Sequence, residues 1–379
     1  MINSFKSKIG RFFLNNVGWK TKEKIVVFES DDWGGISMPD KITYQALLRK
    51  GIRVDTNPYS KFDSLASEED LSFLLEVLLK HSNCNGKKPI FTLNTNVANP
   101  DFEKIRVNNF QQYFYEPFII TLQKYPQHRN AFQLWKEGIE QQIFEPQFHG
   151  REHINSLLWL EQLRLNQHKD IRIAFDYDFF NLPKSSYPGE KWILSSAFYP
   201  NNLLENNAIL EAIDSGIDLF DKIFKSPPRS FVATGYIWNS NIEKNLAANG
   251  IHTIQGLPIQ RQPDYNTQTV TKTYNYTGKR NQYNQIFIIR NSFFEPTLNP
   301  GKDVVRECLK RIEISFGNKK PAIIGTHRIN YIGSLVPKNR DHNLKLLDQL
   351  LRKIVKKWPD VHFMSSSQLG SLILAQEKI

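Results

Sequence analysis

A strand-like apolar run ends in two adjacent carboxylates near the start of the chain. Ile25-Val26-Val27-Phe28 leads through Glu29-Ser30 into Asp31-Asp32, and the turn formers Gly34-Gly35 follow. A buried strand that ends in paired acids is costly unless the charge is compensated. A metal ion or a catalytic role at the C-terminal mouth of a parallel sheet or barrel is the usual compensation. This stretch therefore predicts a functional site at a strand end.

Apolar runs with strand character alternate along the chain with longer segments of helical periodicity. Strands are predicted at Ile25–Phe28, Pro89–Leu93, Phe144–Phe148, Ser230–Ala233, Ile286–Arg290, Ala322–Gly325 and Val361–Met364. Helices are predicted near Asp40–Lys50, Glu68–Lys80, Arg129–Gln142, Glu152–Leu165, Asn206–Phe224, Asn241–Asn249, Asp303–Phe316 and Asn343–Trp358. This alternation is typical of an α/β protein with a parallel sheet or a (β/α) barrel.

The alternation of predicted strands and helices is interrupted twice. No linker sequence divides the chain into separate domains. Residues 255–284 are rich in Gln, Asn, Thr and Tyr, which predicts an inserted loop or hairpin on the rim of the sheet. Residues 172–195 mix aromatics, Pro and Gly and predict a second excursion. The simplest organisation is one elaborated domain over residues 24–379, preceded by an N-terminal segment of residues 1–23.

The composition of the chain limits which kinds of molecule it is expected to bind and where in the cell it is expected to be. The formal net charge of +11 favours anionic partners, but the basic residues are spread out and no nucleic-acid motif accompanies them, so nucleic-acid binding is not expected. Cys84 and Cys308 have no metal-ligand spacing and form no disulfide framework. No stretch approaches the roughly 20 apolar residues of a membrane span, and Met1–Lys20 lacks the apolar core of a secretory signal. We therefore expect a cytoplasmic protein.

The N-terminal segment is amphipathic and leaves a membrane contact open. Apolar residues near helical spacing lie beside basic ones, namely Phe5, Ile9, Phe12, Phe13 and Leu14 beside Lys6, Lys8 and Arg11. One interpretation is an interfacial helix on an anionic membrane, formed within residues 1–20. The other is a helix packed against the domain.

Two histidines follow another apolar segment. His149-Gly150-Arg151-Glu152-His153 comes after Ile143–Phe148 and before a predicted helix. Histidines at i and i+4 share one helical face, so their imidazoles can converge on one divalent ion. Zinc accepts imidazole nitrogen and carboxylate oxygen, and a catalytic zinc keeps one position open for water. The pair predicts a metal site together with one of the two acids, whose neighbour could then serve as a base.

A third strand also ends in a histidine. The apolar lead Ala322-Ile323-Ile324 runs into Gly325-Thr326-His327. A histidine at the same mouth could donate a proton to a leaving group, although a hydrogen-bonded structural role is equally compatible with the sequence.

In this order, the motifs resemble those of the polysaccharide deacetylase family, also called the NodB-homology domain or carbohydrate esterase family four. The resemblance implies a distorted (β/α) barrel of about seven parallel strands with inserted rim loops. It implies that Asp32, His149 and His153 bind the metal, that Asp31 is the general base and that His327 is the general acid. Pro89–Asn96 resembles the second strand of the family.

One element of the family pattern is absent. The third motif normally supplies an arginine that orients the base, and the nearest segment, Ser230–Asn239, has Val232 at that position. Arg151, Arg229 or Arg328 could substitute, and the sequence does not choose among them.

These observations predict a hydrolase that uses a divalent metal, expected to be Zn²⁺, to remove an acetyl group from an N-acetylated amino sugar or glycan. The positive charge suggests that this substrate is anionic. Residues predicted to contact it are the aromatics Trp33, Tyr236 and Trp238, with Asn96 and Arg151. Core packing of these aromatics is an equally good interpretation.

Three alternatives remain open at this point. The same site could hydrolyse an O-acetyl ester or a non-sugar amide. Because the motif arginine is missing, the chain could instead be a glycan-binding module that has lost turnover. A basic protein of nucleic-acid or membrane surfaces would rest only on net charge and the N-terminal segment.

Overall fold

A nine-stranded parallel sheet, curled into a distorted barrel, organises the molecule. The computed structural model describes residues 16–182 and 194–376. The strands of this sheet are β1 (Ile25–Trp33), β2 (Phe91–Asn96), β5 (Phe144–Gly150), β6 (Ser230–Val232), β7 (Thr253–Gly256), β10 (Ile286–Ile289), β11 (Ser292–Phe293), β12 (Ala322–His327) and β13 (His362–Met364). Their order is β10-β7-β6-β5-β2-β1-β12-β11, with β13 paired to the first half of β1.

Helices surround the barrel. Their bounds are Lys41–Arg49, Pro58–Phe62, Glu68–Leu79, Phe102–Val107, Phe118–Lys124, Ala131–Glu140, Ser156–Leu165, Lys169–Asp176, Leu203–Phe224, Ser240–Ala248, Val304–Gly317, Pro337–Lys357 and Ser366–Gln376. Short 3₁₀ turns lie at Val54–Thr56, Pro126–His128, Thr234–Tyr236 and Arg328–Asn330. No helix in the described ranges is long and apolar enough to cross a membrane.

The chain itself closes the barrel. The two ends of the sheet, β10 and β11, are consecutive in sequence and are separated by Arg290 and Asn291 alone. The Arg290 amide donates to Gly256 O of β7, and the Asn291 amide donates to Ile323 O of β12. Arg290 therefore sits at the closure point, where its side chain can reach the barrel interior.

Alternation along the strands separates an outer core from an inner one. Val26 and Phe28 face outward into the main apolar core against the helices. Ile25 and Val27 face inward, into a small inner core with Leu369 of the last helix. Because side chains alternate, the next inward positions of β1 are Glu29 and Asp31, and the interior changes from apolar to acidic towards the mouth.

The expected barrel is confirmed, with differences in its details. The sheet has two further short strands, β7 and β11, beyond the seven predicted. Strand β7 was missed because Thr253–Gly256 precedes a polar stretch and has few aliphatic residues. Beyond it, the insertion is an antiparallel hairpin of β8 (Ile259–Asp264) and β9 (Thr269–Tyr274), while β3 (Ala98–Pro100) and β4 (Tyr115–Pro117) pair separately. The second excursion falls partly in residues 183–193, outside the described ranges.

Residues 16–23 run along the domain. The Trp19 amide donates to Thr277 O, and the Thr21 amide donates to Lys319 O, each at 2.8 Å. The amphipathic pattern itself, in residues 1–15, lies outside the described part of the chain.

Candidate active site

A local distortion of β1 brings its two terminal carboxylates to one mouth. The pairing of β1 with β2 shifts register between Ser30 and Trp33, and Asp32 has φ +73°. In a regular strand the two acids would point to opposite faces. The bulge and the left-handed backbone turn Asp32 back toward the side that Asp31 already faces. Such strain at a non-glycine residue is typical of functional sites.

The two histidines approach Asp32 without a helix. His149 is the penultimate residue of β5, His153 lies in the turn that follows, and the helix begins only at Ser156. Gly150, with φ +117°, makes the turn between them. The expected placement of the pair on one helical face is therefore wrong, because the chain leaves the strand through a glycine turn. Both imidazoles still reach Asp32 Oδ1, at 3.4 Å from His149 Nε2 and 3.2 Å from His153 Nε2.

Asp32, His149 and His153 fit a divalent metal ion. One ligand atom from each lies within 4.8 Å of the others. His149 Nδ1 bonds to the carbonyl of Val232 at 2.8 Å, and its buried Nε2 has no hydrogen-bond partner among the described residues. A backbone carbonyl at one ring nitrogen fixes the tautomer and directs the free lone pair of the other, as is usual for metal-binding histidines. Two imidazoles and one carboxylate form a donor set suited to zinc.

Arg290 holds the neighbouring acid. Its Nη1 donates to Asp31 Oδ2 and its Nη2 to Asp31 Oδ1, both at 2.7 Å, and its Nε donates to Glu29 Oε2 at 2.6 Å. All three side chains are buried. Burial would raise the pKa of Asp31, but the charge and hydrogen bonds of Arg290 lower it to about 2. Asp31 is therefore held as an oriented carboxylate.

None of the three arginines proposed from the sequence reaches Asp31. Arg151 is paired with Glu152, and Arg328 is paired with Asp63. Arg229 is exposed at the opposite end of the barrel, before β6. The position of Arg290 at the end of a predicted strand was the available signal, but its reach across the interior depends on how the barrel closes.

His327 lies beside Asp31 and carries a carboxylate partner of its own. His327 Nε2 is 3.7 Å from Asp31 Oδ2, and its Nδ1 bonds to Glu295 Oε1 at 2.5 Å. Burial would lower the pKa of His327, but Glu295, by its charge and hydrogen bond, raises it to about 10 with help from Asp32 and Asp31. The imidazole is therefore held protonated, with Nε2 facing the mouth.

Tyr236, predicted as a substrate contact, does lie at the mouth. Its hydroxyl accepts from Arg290 Nη1 at 2.6 Å and lies 3.4 Å from Asp31 Oδ2. Two residues that sequence reasoning missed share this region. The Tyr59 ring meets His327 edge-on at 5.8 Å, and Asn94 Nδ2 donates to Asp31 Oδ1 at 2.8 Å.

The remaining predicted substrate contacts are turned inward. Trp33 and Trp238 are each 1% exposed, and their indole N–H groups bond to Ser30 and Glu243. Asn96 is buried and donates to the backbone carbonyl of His149 at 3.1 Å. These placements contradict the expectation that the three residues contact a sugar, because apolar packing and internal hydrogen bonds occupy them.

Arg151 is likewise engaged. Its guanidinium forms two hydrogen bonds with Glu152 and stacks on the ring of Tyr115, 4.1 Å from the ring centroid. The side chain fastens the loop after β5 to its surroundings, and its expected contact with a substrate stays a prediction.

Comparison with known proteins defines the fold. No protein-family model and no curated protein sequence match this chain. A protein from Parabacteroides distasonis described as a glycoside hydrolase/deacetylase is 10% identical, with 94% of this chain and 72% of that one covered at a TM-score of 0.52. A protein from Mycobacterium smegmatis described as a polysaccharide deacetylase is 10% identical, with 96% and 94% covered at 0.45.

A 4-alpha-glucanotransferase from Thermococcus litoralis is also similar, with 10% identity and a TM-score of 0.46. The alignment covers 92% of this chain but only 40% of the glucanotransferase. At these identities, the likeness to the Parabacteroides protein shows the fold. The resemblance noted in the sequence is thus confirmed at the level of the barrel fold.

Proposed function

We propose that this chain is a metal-dependent hydrolase that removes an acetyl group from an N-acetylated amino sugar or glycan. The observation that carries the proposal is the convergence of Asp31, Asp32, His149, His153 and His327 at one mouth of the barrel. The ends of β1, β5 and β12 supply four of these side chains, and the turn after β5 supplies His153. This arrangement joins a metal-ligand set to an adjacent pair of acid–base groups.

Asp32, His149 and His153 would hold the ion, for which Zn²⁺ is the best candidate. When bound, such an ion polarises an acyl carbonyl and lowers the pKa of water. Asn96 and the Val232 carbonyl orient His149, and Gly150 sets the direction of the turn toward His153.

Asp31 would accept the proton of the attacking water. Arg290 and Asn94 fix both of its oxygens, so the carboxylate is oriented before the substrate arrives. The Arg290 contact also keeps it ionised, which a base requires.

His327 would protonate the departing amine. Its Nδ1–H is committed to Glu295, so Nε2 is the atom that can transfer a proton toward the mouth. A raised pKa keeps that proton in place at neutral pH. The amine must be protonated as it leaves, because its anion is a very strong base and a poor leaving group. Tyr59 and Tyr236, half-buried around this position, are the side chains available to contact the sugar.

The discriminating experiment combines metal analysis with acetate release. The purified protein should bind one equivalent of divalent ion and release acetate from N-acetylated amino-sugar oligomers. Faster release from O-acetylated sugars or from non-sugar amides would redirect the assignment to those substrates. Absence of metal binding, with no effect of His149→Ala, would refute the proposal.

The binding-module alternative predicts glycan binding with metal present and no acetate release from any substrate. That alternative rested on the missing motif arginine. Because Arg290, in the connection between β10 and β11, is paired with Asp31, this reason for favouring the binding module is lost.

A further inference from the structure

The end of the barrel opposite the active site is strongly basic. Because the strands are parallel, the segments that lead into them lie at one end. For all strands of the main sheet except β11, the described segments are residues 16–24, 80–90, 141–143, 225–229, 249–252, 275–285, 318–321 and 358–361. Together these segments contain twelve Lys or Arg residues and two acidic residues, Glu23 and Asp360.

The mouth end has no such excess. The segments that follow the strands are residues 34–40, 97–101, 151–155, 233–239, 257–258, 290–291, 294–303, 328–336 and 365. They contain four basic and five acidic residues. The positive charge of the molecule is therefore polarised along the barrel axis, away from the catalytic residues.

Six of the twelve basic residues form an exposed group that we call the basic rim. Its members are Lys20, Lys22, Lys87, Lys225, Arg229 and Lys319. None of the six forms an ion pair with an acid in the described ranges, whereas Lys24 is paired with Asp360 and Lys80 with Glu76. Unpaired exposed cations at one end produce a positive field that attracts an anionic surface.

Backbone hydrogen bonds join the segments that carry the rim. The Thr21 amide donates to Lys319 O at 2.8 Å, and the Cys84 amide donates to Pro359 O at 2.8 Å. On the far side, the His252 amide donates to Arg229 O at 3.1 Å. The segments that carry the rim are thus held by the fold rather than being independent loop tips.

The amphipathic N-terminal sequence enters the molecule at this same surface. Lys320 Nζ donates to Val17 O at 2.6 Å and to Trp19 O at 2.9 Å, which fastens the entering chain between Lys319 and the loop at Thr277. Residues 5–14 lie outside the described ranges. Their sequence contains five large apolar side chains and three cations.

We infer that the basic rim docks on an anionic lipid bilayer, with the N-terminal segment inserted at its edge. Apolar residues beside cations suit a lipid interface, where the rings enter the acyl boundary and the cations meet headgroups. A nucleic-acid surface would use the charge but offer no place for these apolar side chains. Docking in this way directs the mouth that carries Asp31 and Asp32 away from the bilayer.

Co-sedimentation with vesicles tests this inference without any measurement of catalysis. The full chain should pellet with vesicles of phosphatidylcholine and phosphatidylglycerol in equal parts, and not with phosphatidylcholine alone, and added salt should release it. The variant Lys22→Gln/Lys87→Gln/Lys225→Gln/Lys319→Gln should lose at least about tenfold in partitioning, since each lysine near an anionic surface contributes measurably.

The matched control neutralises four exposed lysines of the other end. Lys41→Gln/Lys50→Gln/Lys61→Gln/Lys338→Gln makes the same charge change on segments that follow β1 and β12. It should bind within about twofold of the parent, because charges more than a Debye length away are screened. Circular dichroism would verify that both variants are folded.

Several results would overturn the inference. They are equal loss in the two quadruple variants, equal binding to neutral vesicles, and no pelleting at low salt. Tighter binding to duplex DNA than to vesicles would assign the rim to nucleic acid. If removal of residues 1–15 abolished binding while the rim variant bound normally, the segment alone would be responsible. Partial loss on that truncation, with further loss on rim neutralisation, supports joint docking.

Discussion

Arg290 binds both carboxylate oxygens of Asp31 across the inside of the barrel, with two N–O distances of 2.7 Å. The two residues are far apart in sequence, and they meet because the chain passes from one end of the sheet to the other at Arg290. The same guanidinium holds Glu29, whose pKa burial raises despite the charge of Arg290. One cation therefore organises two buried acids, and the geometry of Asp31 depends on closure of the barrel.

Arg290→Lys should lower kcat by at least about tenfold while leaving the metal content unchanged. An ammonium keeps the charge but cannot make the two parallel hydrogen bonds that orient Asp31. Steady-state kinetics and metal analysis on the same preparation would check this. Arg340→Lys is the control, since Arg340 is also buried and is bonded to three acids, Glu69, Asp70 and Asp341, away from the site. Equal losses of kcat in both variants would mean that Arg290 has only a structural role.

Asp31→Asn and Asp32→Asn should separate the two acids. Asp32→Asn should lose metal, because it removes the only carboxylate of the set Asp32, His149 and His153. Asp31→Asn should retain about one equivalent and lose activity by roughly 10²–10⁴-fold, the usual contribution of a general base. Equal effects on metal content, measured by elemental analysis, would contradict this division.

Glu295→Gln should move the alkaline limb of the pH–rate profile to lower pH by at least about one unit. In the parent, Glu295 helps raise the pKa of His327 to about 10, so the imidazole stays protonated and able to donate through neutral pH. Without that charge, the His327 imidazole loses its proton at a lower pH. Activity should therefore begin to fall at that lower pH. A uniform fall in kcat with an unchanged limb would mean that Glu295 only supports its loop through Asn330.

Patterns local in sequence predicted much of this molecule. Each of the seven predicted strands is present, because short apolar runs bounded by turn formers allow few other structures. The residues that end β1, β5 and β12 could be named in advance, since parallel strands place their C-terminal ends at one mouth.

Contacts made across the barrel could not be predicted in this way. Arg290 contacts Asp31, and Glu295 contacts His327, only when the sheet has closed into the barrel. Trp33 illustrates the same limit from the other side. Its position beside the acids suggested a sugar contact, but the bulge at Asp32 leaves its ring packed against Trp135. In a regular strand, sequence periodicity predicts the face on which a side chain lies. That prediction fails where a bulge changes the course of the backbone.

Stability should fall below about pH 6.5, in part through His128. This side chain is fully buried, with Nδ1 bonded to Ala66 O, and burial lowers its pKa. The unfolded chain then binds a proton that the folded one does not, so the free energy of unfolding decreases as pH falls. His128→Gln should flatten this dependence between pH 7.5 and 5, as measured by urea titration at each pH. The exposed His342→Gln should keep the parental slope.

Gly150→Ala should weaken metal binding in addition to lowering the free energy of unfolding. Gly150 lies between His149 and the turn to His153 with φ +117°, a conformation that side chains rarely adopt, and an added Cβ would lie 3.1 Å from the Phe198 ring. Relief of that strain would rotate the turn and separate the two imidazoles. We expect a loss of at least tenfold in metal affinity, comparable to the effect of altering residues that orient metal ligands.

Gly51→Ala separates this site effect from general backbone strain. Gly51 has φ +87°, and an added Cβ there would meet nothing within 4 Å. Both substitutions should cost roughly 1–3 kcal/mol in the free energy of unfolding, the usual range for such a backbone conformation. Only Gly150→Ala should raise the dissociation constant for Zn²⁺, measured by competition with a chelator under native conditions. If both variants bind the ion as the parent does, the turn at Gly150 does not hold the histidines in place. In that case the directing contacts would be the Val232 carbonyl and Asn96 alone.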